Sequence, residues 1–130
     1  MTRPVLIDTS VWIEAMREHG DEFWRGRVQA VLREDRARFC DLVRLELWNG
    51  VRAGAERRWL LELEQVVETV PTHEAVWQEA YKLTRQARQG GLTLPATDLV
   101  VAACARVHGL DLLHQDKHFD RLAELLGKVQ

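Results

Sequence analysis

The stretch of residues 94–119 joins a helix that is apolar on every face to a short apolar strand. Residues 99–105 read Leu-Val-Val-Ala-Ala-Cys-Ala, and a helix without a polar face is buried rather than amphipathic. Gly109 ends this helix, because glycine suits the left-handed position that follows a helix. Residues 110–114 then form a candidate strand. The rest of the chain has to be organised around this buried pair.

This helix–strand unit carries a carboxylate at each of its functional ends. Asp98 lies where the helix begins, and Asp116 lies where the strand ends. A helix and a strand that deliver acids to the same side of a domain suit a metal site, provided that other parts of the chain supply further ligands.

Three other short runs are candidate strands in the rest of the chain: Val5-Leu6-Ile7, Ala37-Arg38-Phe39-Cys40 and Thr69-Val70. Stretches with helical spacing of apolar residues separate them, at about 11–18, 21–34, 42–52, 56–67 and 71–89, and a last helix is predicted at 119–126. Lys128-Val129 is a candidate closing strand. Strands separated by helices predict an α/β fold with a parallel sheet of four or five strands and helices on both faces.

Length and composition indicate a single globular domain that spans residues 1–130. Cys40 and Cys104 lie far apart, each among apolar neighbours, so we expect both to be small core residues in a reducing compartment. No apolar run approaches the length of a membrane span, and the N-terminus has no apolar signal region. We therefore expect a cytoplasmic protein without a membrane association.

The formal net charge of −2 excludes a globally basic nucleic-acid-binding protein. Residues 25–58 are locally basic, with nine arginines against five acids and a balance of +4. We interpret most of these arginines as part of a solvated charged face. A strip that contacts phosphates or a partner protein is the alternative interpretation.

Four acids from distant parts of the chain are candidate ligands for one site. In a parallel α/β sheet, ligands bind outside the carboxyl ends of the strands. Asp8 follows the first strand, Asp116 follows the strand after the buried helix, and Asp98 begins a helix at the same expected edge. Glu46 lies inside the helix at 42–52, beside apolar and small neighbours. A partly buried carboxylate there is unfavourable unless it meets a cation.

Each acid also has a purely structural interpretation: Asp98 as a helix cap, Asp116 as the start of a turn, Asp8 as an Asx-turn, and Glu46 as a surface partner of Arg44 or Arg52. Together, however, four ionised carboxylates in one cleft repel one another unless a cation neutralises them. Oxygen ligands without a cluster of cysteines or histidines favour Mg²⁺ or Mn²⁺, as one ion or two, over zinc. Such a site suits phosphoryl chemistry, in which the metal activates water and stabilises charge on the scissile phosphate.

Three segments follow one another in a distinctive order: residues 5–10, Val-Leu-Ile-Asp-Thr-Ser; residues 45–47, Leu-Glu-Leu; and residues 96–119, from Ala-Thr-Asp to Asp-Lys-His-Phe. With this order and spacing the chain resembles, essentially end to end, the PIN-domain family, and specifically its bacterial VapC-like toxin ribonucleases of type II toxin–antitoxin systems. The last segment is the most specific. The resemblance implies a three-layer α/β/α PIN-like domain with a central parallel sheet.

The resemblance further implies an Mg²⁺- or Mn²⁺-dependent endoribonuclease that cleaves RNA by metal-activated water. Carried over by position, Asp8, Glu46, Asp98 and Asp116 would be the catalytic, metal-binding acids, and Ser10 would assist near the first of them. The implied partners are an RNA substrate and a cognate VapB-like antitoxin, whose C-terminal segment reaches into the groove and holds the toxin inactive. A homodimer and a toxin–antitoxin hetero-oligomer are implied as well.

Two regions depart from the family's pattern. Family members often carry Thr or Ser shortly before the last acid, where this chain has His114 and Gln115. A hydroxyl often precedes the helix of the middle glutamate, where this chain has Asp41. Neither departure removes a carboxylate, but both change the groups around the acids. Asp120 is an acid outside the pattern, and we interpret it as a surface residue or a cap.

Two other classes of function compete with the toxin. A phosphoacceptor domain of receiver type requires an aspartate at the end of the third strand, where this chain has Pro71 and Thr72. A non-catalytic RNA- or protein-binding module is the second alternative, and the presence of all four acids argues against it. His114 and His118 suggest a general base, but we interpret them as exposed histidines or as histidines that contact the metal ligands without binding the metal.

Overall fold

The computed structural model describes residues 3–52 and 54–129, with side chains to residue 127. Strands and helices follow one another in these ranges as β1 (Val5–Ile7), α1 (Thr9–Met16), α2 (Glu22–Arg33), β2 (Ala37–Cys40), α3 (Asp41–Gly50), α4 (Gly54–Val66), β3 (Glu68–Val70), α5 (Glu74–Gln89), α6 (Ala96–His108), β4 (Asp111–Leu113) and α7 (Lys117–Val129). This is the predicted order, apart from the C-terminal end.

The four strands form one parallel sheet in the order β3-β2-β1-β4. Val5 of β1 lies opposite Ala37 of β2 on one side and opposite Asp111 of β4 on the other. The predicted α/β/α fold with a central parallel sheet is confirmed. From β1 the chain moves outward to β2 and β3, then returns to place β4 on the other side of β1. The carboxyl edge between β1 and β4 is therefore where the winding reverses, which is where open α/β sheets bind ligands.

The predicted closing strand at Lys128-Val129 is wrong, because α7 continues to Val129. Phe119 and Leu122 are buried and Leu126 packs against the core, so apolar residues recur at helical spacing along this segment. This pattern holds the segment in a helix, and the sheet has four strands in the described part of the chain.

The core is built around β1 and α6. All three residues of β1 are buried, and α6 buries a set of small and branched side chains: Leu99, Val101, Ala102, Ala103, Cys104 and Ala105. α6 packs along α5 and also contacts α3 and α7. The predicted buried helix is confirmed. Gly109 follows it with a φ of 66°, the left-handed conformation that glycine adopts without strain.

Other large or reactive side chains also belong to the core. Cys40 and Cys104 are buried free thiols, as predicted. Trp12 is 0% exposed, and its ring centroid lies 5.2 Å from that of Phe39 and 6.1 Å from that of Trp59. No helix within residues 3–52 and 54–129 has both the length and the apolar character that crossing a membrane requires.

Several arginines of the locally basic stretch bind neighbouring groups. Arg44 pairs with Glu64, whose carboxylate also accepts a hydrogen bond of 3.0 Å from Trp48 Nε1. The guanidinium groups of Arg25, Arg36 and Arg38 likewise bind nearby carbonyls or carboxylates. For these arginines the contacts support a charged protein surface rather than a strip that binds phosphates or a partner protein.

Candidate metal centre

Four carboxylates lie together at the carboxyl edge of the sheet. Asp8 follows β1, Asp116 follows β4, Asp98 lies in the first turn of α6, and Glu46 belongs to α3. Burial raises the pKa of Glu46, and the carboxylates of Asp8 and Asp98 raise it further. Burial also raises the pKa of Asp98, and the carboxylates of Asp116 and Asp8 add to this shift. Asp98 therefore interacts with each of the other three predicted acids, which places all four at one site.

Asp8 is the most enclosed of the four acids, with 7% of its surface exposed. Ser10 donates two hydrogen bonds to Asp8 Oδ2, one from its backbone N–H at 3.2 Å and one from its hydroxyl at 2.6 Å. The backbone bond also caps α1. Asp8 therefore forms the predicted Asx-turn and belongs to the cluster of acids as well. Ser10 lies beside the first acid, where the sequence predicts it.

Glu46 is held by a hydroxyl rather than by a basic side chain. Thr9 Oγ1 donates a hydrogen bond of 2.8 Å to Glu46 Oε1. Arg44, one of its two predicted surface partners, pairs with Glu64 instead. Among the residues that the structure describes, no ion pair includes Glu46 or Arg52. The interpretation of Glu46 as half of a surface ion pair is therefore wrong.

Asp98 contacts a histidine that the sequence analysis left outside the ligand set. The residue that caps α6 is Pro95, without a side-chain hydrogen bond, so the interpretation of Asp98 as only a helix cap is wrong. His118 Nδ1 lies 2.8 Å from Asp98 Oδ2 and 3.2 Å from Asp116 Oδ1. Its position two residues after Asp116 is the sequence signal that could have found it. His118 thus bridges two of the four acids, and its contact lowers the otherwise raised pKa of Asp98.

The loop that carries Asp116 is fixed on both sides. The Asp116 N–H donates to His114 Nδ1 at 3.2 Å, and Asp116 Oδ1 accepts a hydrogen bond of 2.9 Å from the His118 N–H. The second of these bonds closes a turn that begins at Asp116, which is the structural role that the sequence suggested for this residue. Gln115 Nε2 donates to the carbonyl of Ser10 at 2.9 Å and so ties the loop to the first turn of α1. The two residues that stand where a hydroxyl is expected therefore support the backbone around the last acid.

The chemistry of these side chains fits a divalent cation. One ligand atom each from Asp98, Asp116 and His118 lies within 4.8 Å of the other two. Asp8 adds a carboxylate that is close enough to raise the pKa of both Glu46 and Asp98, and Glu46 adds a carboxylate whose own pKa Asp8 and Asp98 raise. Carboxylate oxygens are ligands of hard divalent cations, and an imidazole nitrogen is compatible with them. A cation would also offset the mutual repulsion of the acids.

Glu46→Gln is expected to stabilise the metal-free protein at neutral pH. The pKa of Glu46 is raised above 4.5 in the folded state, so its contribution to stability is fully present below that value and is lost as pH rises through the raised pKa. Unfolding temperatures measured in EDTA between about pH 5 and about pH 8 should show the variant increasingly above the wild type. Added Mg²⁺ should reverse this order near neutral pH, since the wild type offers the cation one more carboxylate. A difference that does not change with pH would contradict the raised pKa.

Comparison with known proteins adds a family match and a relative that is named a ribonuclease. The model of the PIN domain family matches residues 5–125. Ribonuclease VapC11 from Mycobacterium tuberculosis is 30% identical over 125 residues, which cover 93% of this chain and 92% of the relative.

Solved structures share the fold. VapBC2 from Rickettsia felis, bound to a DNA fragment from its promoter, matches with a TM-score of 0.74 and 19% identity over 90% of this chain and 91% of the other. VapBC-5 from Mycobacterium tuberculosis, a member of the VapBC family of toxin–antitoxin systems, matches with a TM-score of 0.67 and 25% identity. This match covers 94% of this chain and 91% of the other.

Proposed function

This chain belongs to the PIN domain family, and we propose that it is a VapC-like toxin, an endoribonuclease that depends on Mg²⁺ or Mn²⁺. The observation that carries the proposal is the meeting of four carboxylates at the edge where the winding of the sheet reverses. The 30% identity to a relative named a ribonuclease, over 93% of this chain, supports RNA as the substrate.

In the proposed site, Asp8, Glu46, Asp98 and Asp116 would hold the cation. The cation, when bound, supplies a water molecule of lowered pKa and a positive charge beside the scissile phosphate. His118 lies within hydrogen-bonding distance of both Asp98 and Asp116, so it orients these two acids toward the same point.

Two hydroxyl groups orient the other two acids. Ser10 binds the carboxylate of Asp8, and Thr9 binds that of Glu46. Both hydroxyls belong to the first turn of α1, so one helix positions an acid from the end of β1 and an acid from α3. Groups held in place before the substrate arrives need little reorganisation during the reaction.

We also propose a cognate antitoxin of the VapB type as the partner, with assembly into a toxin–antitoxin hetero-oligomer that contains a toxin homodimer in the cytoplasm. The likeness to VapBC-5, which is described as part of a toxin–antitoxin system, supports such a partner. A segment of the antitoxin that enters the groove beside the acids would exclude RNA from them.

The receiver-type alternative lacks the aspartate on which it depends. β3 ends at Val70, and the next two residues are Pro71 and Thr72. No acid therefore lies at the carboxyl end of this strand, where a phosphoacceptor would be required.

RNA cleavage by the purified protein is expected to require a divalent cation. Without one, the four acids repel each other and the phosphate that approaches them. RNA incubated with the protein should be cut in Mg²⁺ or Mn²⁺, remain intact in excess EDTA, and be cut again when the cation is restored. Undiminished cleavage in EDTA would refute the metal mechanism. RNA that binds but stays uncut with Mn²⁺ supplied would favour the non-catalytic module instead.

A further inference from the structure

The two cysteines of the chain meet in the core, and the four acids make no use of them. Cys40 is the last residue of β2, and Cys104 lies in α6. Both residues are fully buried, and the Cys104 thiol donates a hydrogen bond to the sulfur of Cys40. The sequence contains two cysteines in all, so a disulfide within one molecule can form only between these two.

The two thiols differ in their surroundings. The contact with Cys104 lowers the pKa of Cys40 against the opposing effect of burial, and the backbone N–H groups of Val43 and Leu42 lower it further. The same contact, together with burial, raises the pKa of Cys104. The thiolate is the reactive form of cysteine, and the N-terminus of a helix such as α3 stabilises it. Cys40 is therefore the better nucleophile, and Cys104 is placed to react with an oxidised Cys40.

A cavity with a volume of about 220 Å³ opens among the neighbours of both cysteines. Asp41, which directly follows Cys40, belongs to its lining. Val100, which precedes Cys104 by one helical turn on the same face of α6, belongs to the lining as well. The cavity offers far more room than one water molecule needs. An oxidant as small as hydrogen peroxide can therefore reach the immediate neighbours of both thiols.

The cysteines connect two helices that carry acids of the candidate metal centre. Cys40 directly precedes α3, the helix of Glu46, and Cys104 lies in α6, the helix of Asp98. These two helices contact each other, and the carboxylate of Asp98 raises the pKa of Glu46. A movement of α3 relative to α6 therefore changes how these two acids are placed around a cation.

A disulfide between the two cysteines requires such a movement. The sulfur atoms of a disulfide lie about 2.05 Å apart, much closer than two sulfur atoms that only share a hydrogen bond. The interior of a protein is close-packed and transmits strain. Part of the approach of the two sulfurs therefore has to come from displacement of the helices that hold them.

We propose that Cys40 and Cys104 form a reversible disulfide when the protein meets a hydroperoxide, and that this bond weakens cation binding at the four acids. The disulfide stands apart from the proposed ribonuclease function, whereas its effect on the site rests on the metal centre of that function. In a reducing compartment a disulfide of this kind is transient and senses oxidants.

The oxidation proceeds in two balanced steps. The Cys40 thiolate attacks one oxygen of hydrogen peroxide, so that an S–O bond forms, the O–O bond breaks, and the departing hydroxide leaves as water after it takes up a proton. The sulfur of Cys104 then attacks the Cys40 sulfur. The S–S bond forms, the S–O bond breaks, and the hydroxyl group leaves as water with the proton of the Cys104 thiol. The two thiols lose two electrons, and the peroxide is reduced to two water molecules.

The wild-type protein tests the disulfide directly. Reduced protein is treated with a small excess of hydrogen peroxide and analysed by mass spectrometry and a non-reducing gel. We expect a mass lower by two hydrogen atoms, the loss of both free thiols and migration as a single chain, all reversed by dithiothreitol. Thiols that stay free, a bond between two molecules, or oxygen adducts of cysteine without a disulfide would overturn the proposal.

Single substitutions test the order of the two steps. In Cys104→Ala, peroxide should convert Cys40 to a sulfenic acid that dimedone traps, because no second thiol remains to displace the oxygen. In Cys40→Ala, the remaining thiol should stay unmodified at the same peroxide concentration, because burial keeps Cys104 protonated. Trapping at Cys104 alone would overturn the assignment of Cys40 as the nucleophile.

The link to the acids is measured through Mg²⁺ itself. The unfolding temperature of reduced and oxidised wild-type protein is followed as Mg²⁺ is added. The oxidised protein should need about fivefold more Mg²⁺ for the same rise, a common size for coupling between two sites. Because coupling is reciprocal, Mg²⁺ should shift the disulfide toward the thiols in a glutathione buffer by the same factor. A double variant with Cys40→Ala and Cys104→Ala is the control, and peroxide should not change its response to Mg²⁺.

The outcomes separate this inference from the proposed function. Equal Mg²⁺ responses of the reduced and oxidised proteins, with RNA cleavage intact in both, would overturn the link to the acids and leave the ribonuclease standing. A disulfide that forms and weakens Mg²⁺ binding in a protein that never cuts RNA would support the inference and overturn the ribonuclease.

Discussion

Asp98→Asn is expected to reduce the rate of RNA cleavage by about a thousandfold or more while the fold is retained. The substitution keeps the size of the side chain and removes one negative charge from the group that is proposed to hold the cation. Burial and the charges of Asp116 and Asp8 raise the pKa of Asp98, so its loss should also relieve repulsion in the metal-free protein. Initial cleavage rates in Mg²⁺ and thermal unfolding in EDTA measure the two effects.

The control for this substitution is Asp120→Asn. Asp120 belongs to the first turn of α7, yet 76% of its side chain is exposed, which agrees with the prediction of a surface residue. The Asp120→Asn variant should cleave RNA at nearly the wild-type rate. If Asp98→Asn retained cleavage within a few-fold of the wild type, Asp98 would have no part in the reaction. If it lost cleavage and secondary structure together, Asp8→Asn and Asp116→Asn would serve as further tests of the same cluster.

Trp12→Ala is expected to lower the free energy of unfolding by about 3–5 kcal/mol, a large share of the stability of a domain of this size. Trp12 is fully buried and packs against the rings of Phe39 and Trp59. It belongs to α1, the helix whose first turn orients Asp8 and Glu46. Loss of its packing should therefore reduce both stability and activity. Equilibrium unfolding in urea measures the first effect.

Two other substitutions serve as comparisons for Trp12→Ala. Trp12 Nε1 forms no hydrogen bond with any described residue, so Trp12→Phe removes volume without removing a hydrogen bond and should be milder than Trp12→Ala. Trp77 is 40% exposed, so Trp77→Ala should lower the free energy of unfolding much less than Trp12→Ala does. A loss below about 1 kcal/mol for Trp12→Ala would mean that the core closes over the missing ring.

The elements that are buried on both faces were the easiest to predict. β1 and α6 have uninterrupted apolar runs, which few exposed elements share. β3 was harder, because only Val70 of its three residues is buried. The order of the strands in the sheet was not predictable in the same way. It depends on the return of the chain past β1, and no local pattern records that step.

One general rule made part of the candidate site predictable, namely the position of the acids that follow strands. Parallel strands share a carboxyl edge, so acids that follow strands were expected to meet there. The sequence did not decide between an exposed His118 and one that contacts the ligands, because the contact with Asp98 depends on where the last helix begins. That helix was predicted to start at Phe119, whereas α7 starts at Lys117 and includes His118 in its first turn. The helix begins two residues earlier than predicted, and its first turn places His118 beside Asp98 and Asp116.

The pairing of β4 with β1 determines when, during synthesis, the site can exist. The Asp8 N–H donates to the carbonyl of Leu113 at 2.9 Å, so the end of β1 is completed by a strand made much later. A growing chain leaves the ribosome from its N-terminus, and Asp8 and Glu46 therefore emerge well before Asp98 and Asp116. Until β4 has paired, a nascent chain presents only part of the ligand set, and pairing over such a separation is slow. A chain whose residues 111–113 have not yet been made therefore lacks both the completed end of β1 and the last of the four acids.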